Sequence, residues 1–167
     1  SDCYVNYEGP SLSITTLSNY YICPVIEPSA FTSNFKFNDI SEINFSVADK
    51  IYADRKFVEN PSYEELIGMR RIVMEPFGAF VTVNPKIQRD GKKTIKEVTA
   101  YSFEYTLNYK EMPPLEGTFR FYDPSGTSED TIMDIVLESA PGWSIGYIAP
   151  SICSKYRTFS TPSQSVY

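Results

Sequence analysis

Two adjacent carboxylates, Glu64 and Glu65, and the run Asp123-Pro124-Ser125-Gly126-Thr127-Ser128-Glu129-Asp130 hold the side chains best suited by type to chemistry. Two acids flanking a glycosidic bond hydrolyse it. Neighbouring helix positions point in different directions, however, and acids in a first helical turn are explained by the helix dipole. The run from Asp123 offers oxygen ligands but lacks the alternating ligands and distal bidentate Glu of a calcium loop. No Gly-Lys-Ser/Thr follows to make it a phosphate loop. A turn leading into a helix cap accounts for it. The chain has no histidine, which removes Ser-His-Asp and Cys-His nucleophiles and the HExxH zinc site. Cys3, Cys23 and Cys153 are an odd, widely spaced set with no CxxC pair, expected to be reduced packing residues. The expectation is therefore no catalytic residue, no metal ligand and no cofactor-binding residue.

Three further patterns have a structural reading beside a functional one. Asn44-Phe45-Ser46 matches a glycosylation triplet, but within a strand-like run. Arg70, Arg71, Lys86, Arg89, Lys92, Lys93 and Lys96 form the one basic concentration, read as a solvated hairpin rather than a binding patch. Tyr101, Phe103, Tyr105 and Tyr109 suit a carbohydrate platform, yet aromatics at this frequency more often serve cores and subunit contacts. The whole chain has 167 residues and a formal charge of −6, against a phosphate-binding surface and sequence-specific nucleic-acid recognition. No stretch approaches the roughly 18 apolar residues of a membrane helix.

Period-two alternation places strands at Asn34–Asn38 and Glu42–Val47, as antiparallel neighbours. The opening 33 residues read as short extended pieces broken by Pro10, Pro24 and Pro28. Pro61 opens a single helical turn after Asn60. Arg71–Met74 and Ala79–Gln88 are strand-like, with a hairpin turn at Arg89-Asp90-Gly91 and a return strand over Lys93–Tyr101. The odd spacing of Ile95 and Val98 predicts a bulge or a local fold-over there. Residues 102–110 are open between strand and helix, and Met112-Pro113-Pro114 breaks the chain. Strands follow at Thr118–Tyr122, Trp143–Ile148 and Arg157–Phe159. The main helix is placed at about 128–139, N-capped by Thr127 with Glu129 and Asp130 in its first turn. It is apolar over a wide face and so needs cover on more than one side. Thr161-Pro162-Ser163-Gln164 reads as a helix start, which makes the chain look cut within its next element.

The ordered phrases KEVTAYSFEYTL, LEGTFRFYDPSG, TIMDIVLESAPGWSIGYIAP and SKYRTFS resemble phage and prophage tail-tip hub proteins. These are of the minor structural or tail-associated lysin type, related to the baseplate hub of contractile tails. Gly142-Trp143-Ser144-Ile145-Gly146-Tyr147-Ile148 and Arg157-Thr158-Phe159 carry the likeness most closely. It covers about residues 34–167. The resemblance implies a mainly β chain with a minor α/β part. A tail-tube-like β-barrel module would occupy 1–107, and a small, incomplete α+β module with one main helix 108–167. It further implies a structural, non-catalytic role in the virion tail, assembled in the bacterial cytoplasm. Partners would be copies of the chain in a trimeric ring, and distal-tail and tape-measure-type proteins. The alternatives are a carbohydrate- or receptor-binding β module, or part of a tail-associated cell-wall hydrolase.

Overall fold

A computed structural model of the protein describes residues 9–128 and 130–167, so the expectations for Cys3 and Glu129 lie outside the described residues. The fold is mainly β. Its internal contacts divide it into two units, one ending at Tyr105 and one spanning Thr106–Tyr167.

The first unit holds β1 (Leu12–Thr15), β2 (Tyr21–Pro24), β3 (Ser29–Asn34), β4 (Glu42–Ala48), β5 (Lys50–Ala53), β6 (Lys56–Glu59), α1 (Pro61–Glu65), β7 (Arg71–Met74), β8 (Gly78–Thr82), β9 (Lys86–Asp90) and β10 (Lys93–Ser102). An eight-stranded sheet runs β2-β1-β7-β8-β10-β4-β3, with β9 beside the first half of β10. Strand alternation sets the core: Ile43, Phe45 and Val47 of β4 are buried while their neighbours are half-exposed. They pack with Ile14, Ile72, Val98 and Ala100, and with Tyr63 and Leu66 from α1 and its end. Each such Val, Leu, Ile or Phe side chain contributes about 1.5–3 kcal/mol on burial. Asn60 caps α1 by accepting from Ser62 N, and its amide donates to Ile26 O and Ala48 O. One side chain thus starts the helix and ties it to the sheet.

Several expectations are corrected here. The strand beside β4 is Ser29–Asn34, not Asn34–Asn38. Phe35 and Phe37 lie in the connection, 53% and 93% exposed, because alternation alone cannot say whether a neighbouring edge exists to pair with. The return strand β10 has no bulge against β4, since its register runs unbroken from Ile95↔Ala48 to Tyr101↔Glu42. Its buried positions are Lys96, Val98 and Ala100, so the core parity is even and Ile95 faces the other way. The expected strand Ala79–Gln88 is two strands parted by Val83-Asn84-Pro85, where proline lacks a ladder donor. The β9–β10 turn sits one residue later than expected, at Gly91-Lys92, with Gly91 at φ +61°. The hairpin β5–β6 turns at Asp54-Arg55, both at positive φ. That pair lacks the usual Asn-Gly signal.

In the second unit are β11 (Glu111–Met112), β12 (Leu115–Arg120), α2 (Ile132–Ser139), α3 (Pro150–Cys153), β13 (Tyr156–Thr161) and β14 (Gln164–Ser165). A 3-10 segment, Phe103–Tyr109, precedes them and resolves the ambiguous stretch. β12 pairs antiparallel with β13 from Leu115↔Thr161 to Arg120↔Tyr156, and β11 with β14. The helix begins later than expected, with Thr131 rather than Thr127 as N-cap. Thr131 and Asp134 close a capping box, each side chain meeting the other's backbone N–H. Trp143–Ile148 is irregular rather than a strand, since an extended run becomes a strand only where an edge accepts its backbone. Thr161–Gln164 is not a helix start. Gln164 pairs with Met112, and Ser163 Oγ donates to the Met112 carbonyl, so cross-chain pairing prevails over the local cap signal. Among the described residues, no helix is long and apolar enough to cross a membrane.

Candidate functional site

Asp123 is buried and organises the loop between β12 and α2. Its Oδ1 accepts from Ser125 N at 3.0 Å and Ser125 Oγ at 2.6 Å. Its Oδ2 accepts from Ser128 N at 2.8 Å and Thr127 Oγ1 at 3.3 Å. Arg120 Nη1 lies 3.9 Å from the same carboxylate. The hydrogen bonds from Ser125, then Ser128, hold the Asp123 carboxyl well below the usual carboxylate range. Its acceptor positions thus serve the loop itself, as the turn reading of this run requires. Among the described residues no group of three His, Cys, Asp or Glu side chains is placed to hold a metal ion.

The adjacent acids of α1 separate as helix geometry dictates. Glu64 is exposed, while Glu65 Oε2 accepts from Arg70 Nη2 at 3.2 Å. Asn44 is strand-bound, donating to Glu42 Oε1 at 2.8 Å and accepting from Thr99 Oγ1 at 2.6 Å. Both bonds are internal to the sheet surface. Cys153 is buried, and Cys23 is half-buried with its thiol pushed up by burial, then by the Glu65 charge. A raised thiol is a poor nucleophile at neutral pH.

The basic concentration does not form one patch. Arg70 is paired with Glu65, and Arg71 donates to Asn19 Oδ1 and lies over the Phe103 ring. Lys96 is only 5% exposed. Its Nζ donates to the Tyr63 carbonyl at 2.6 Å and sits 4.2 Å from the Tyr63 ring centre. Burial pulls the Lys96 pKa down, with Glu64 opposing, and burial followed by Asp49 pushes Tyr63 up. Lys86, Arg89, Lys92 and Lys93 remain exposed along the β9–β10 hairpin.

The surface is marked instead by aromatic side chains. Phe35 stacks on Phe77 at 5.6 Å, both more than half exposed, and Phe37, two residues after Phe35, is 93% exposed. Tyr52 and Phe57 face each other across the β5–β6 hairpin at 5.3 Å, with Lys93 Nζ above the Phe57 ring. Tyr101 stacks on Tyr105 at 4.7 Å. Of the aromatics singled out in the sequence, Tyr101, Phe103 and Tyr105 are half-buried and Tyr109 is exposed. Phe77, Tyr52 and Phe57 were not singled out. The signal for the last two was the pair of short β-prone runs Ile51-Tyr52 and Phe57-Val58 flanking a polar stretch, readable as a hairpin once Asp54-Arg55 is accepted as its turn. No family model, curated protein or solved structure matches this chain. The exposed rings and the cation above Phe57 offer flat surfaces suited to packing contacts.

Proposed function

We propose that this chain is a structural, non-catalytic part of a phage or prophage tail tip, contributing to a hub ring and contacting distal-tail and tape-measure-type proteins. The observation that carries the reading is the ordered set of phrases from KEVTAYSFEYTL through GWSIGYI to SKYRTFS. The internal use of the acids supports it: Asp123 anchors a loop, Asp134 closes a cap and Glu65 holds Arg70. Exposed aromatic pairs support it too, because large apolar groups left in water favour a covering partner. A net charge of −6 suits the wall of a DNA conduit, which must not hold the phosphate backbone.

The test is the composition of tails. Particles induced from the source bacterium and purified should yield this chain's peptides by mass spectrometry, at a small fraction of the tube protein's copy number. Absence from purified tails, or a copy number equal to that of the tube protein, would contradict the proposal.

A further inference from the structure

The antiparallel pair β12–β13 exposes one apolar face. Register sets Phe119 opposite Arg157 and Gly117 opposite Phe159, and alternation adds Phe121 on the same side. The ladder continues past β13, because Phe121 N donates to the Lys155 carbonyl at 2.8 Å. Lys155 therefore shares this face with Arg157. Ile132 at the start of α2 and Ile152 of α3 supply the walls of a cavity of about 340 Å³. Phe119 and Phe159 meet edge to face at 6.3 Å across its floor, and Gly117 contributes no side chain to fill it. The three Phe rings are half-buried, while Lys155 and Arg157 are exposed. Among the described residues neither cation has an ion pair, and no acid lines the cavity.

We propose that this face is a docking groove for an extended protein segment carrying carboxylates at alternate positions next to one aromatic side chain. The cavity lies at the small end of the range for ligand pockets, about 300–1,000 Å³, with room for a ring but not a helix. Its lining is apolar except for two cations, so an occupant must bring an apolar group and negative charge together. Residues two apart on a strand stand about 6.6 Å from each other on one face. An extended peptide laid along β13 repeats that spacing, so acids at its positions i and i+2 meet Lys155 and Arg157. Arg157 takes a carboxylate through its two-pronged guanidinium. The choice of a protein as occupant rests on the tail-tip reading, whereas the charge and apolar requirements come from the groove itself.

A fluorescein-labelled peptide, Asp-Ser-Glu-Ser-Phe-Ser, titrated with the 167-residue chain tests this by fluorescence polarisation. Saturable binding is expected, weakened about tenfold or more when both acids become Lys or when Phe becomes Ala. The doubly substituted chain Lys155→Glu/Arg157→Glu should lose binding by a similar factor while melting as the wild type does. Both positions are exposed, so the fold should survive; Lys155→Gln/Arg157→Gln, which removes charge without reversing it, repeats the measurement should it not. Equal binding of the Lys peptide, equal binding by the charge-altered chains, or no binding at millimolar concentration would overturn the proposal. So would displacement by free 3-phenylpropionate at the peptide's own affinity, which would make this a small-acid site. None of these outcomes depends on the chain's presence in tails, and tail composition does not depend on them.

Discussion

Lys96 shows how one residue can contradict its own chemistry and still fit. A cation in a core slot costs free energy through desolvation, offset here by the Tyr63 carbonyl and ring. That carbonyl also accepts from Leu66 N at 3.3 Å, so removing the ammonium does not orphan it. Lys96→Met should therefore keep stability within about 1 kcal/mol of wild type, in the manner of an apolar replacement for a buried charge. Lys96→Ala, which leaves a void, should lose about 2–4 kcal/mol. Urea denaturation separates the two, and an equal loss in both would mean that the charge itself holds the site. Asp123 gives the pH dependence of the second unit. Its folded pKa lies below the unfolded value, so its contribution is full above the ordinary carboxylate range, near ~3.9. That contribution falls as pH drops below that range. Melting between pH 6 and pH 2.5 should show a shallower acid loss in Asp123→Asn than in wild type, and parallel curves would contradict the loop-anchor role.

At the scale of elements, the helix start is the sharpest correction. The sequence points to Thr127 alone as the cap, but Asp123 draws Thr127 and Ser128 into its loop and leaves the capping role to Thr131. Thr131→Ala should cost the second unit about 0.5–2 kcal/mol, and Thr127→Ala clearly less, as read by chemical denaturation followed by circular dichroism. The β5–β6 turn offers a gain. Asp54 and Arg55 both sit at positive φ, so Asp54→Asn with Arg55→Gly should raise stability by about 1 kcal/mol. No gain would mean that the hairpin is held by its Tyr52–Phe57 contact rather than limited by its turn. Elements whose pairing partners and alternation agree were legible in the sequence: β4, β7, α1 behind Asn60-Pro61, and the β9–β10 hairpin. What failed had a local signal overruled from a distance. Phe35 and Phe37 alternate without an edge, Thr161–Gln164 caps nothing because Met112 pairs with it, and Lys96 hid the parity of β10 behind a charged side chain. The acid-bearing run at Asp123 was legible as a turn. The groove of Phe119, Phe159 and Arg157 was not, because it exists only once β12 and β13 are in register.

At the scale of the whole molecule, the fold is mainly β with aromatic pairs on its surface, and the proposed structural role predicts no turnover. A zymogram on cell walls of the source bacterium should stay uncleared by the isolated chain; clearing would replace the structural reading with the hydrolase. The most direct measurement is position. Gold-labelled antibodies against this chain, applied to induced particles and viewed by electron microscopy, should mark the distal end of the tail, opposite the capsid. Label along the tube, on the capsid, or nowhere on intact and disrupted particles would contradict the account.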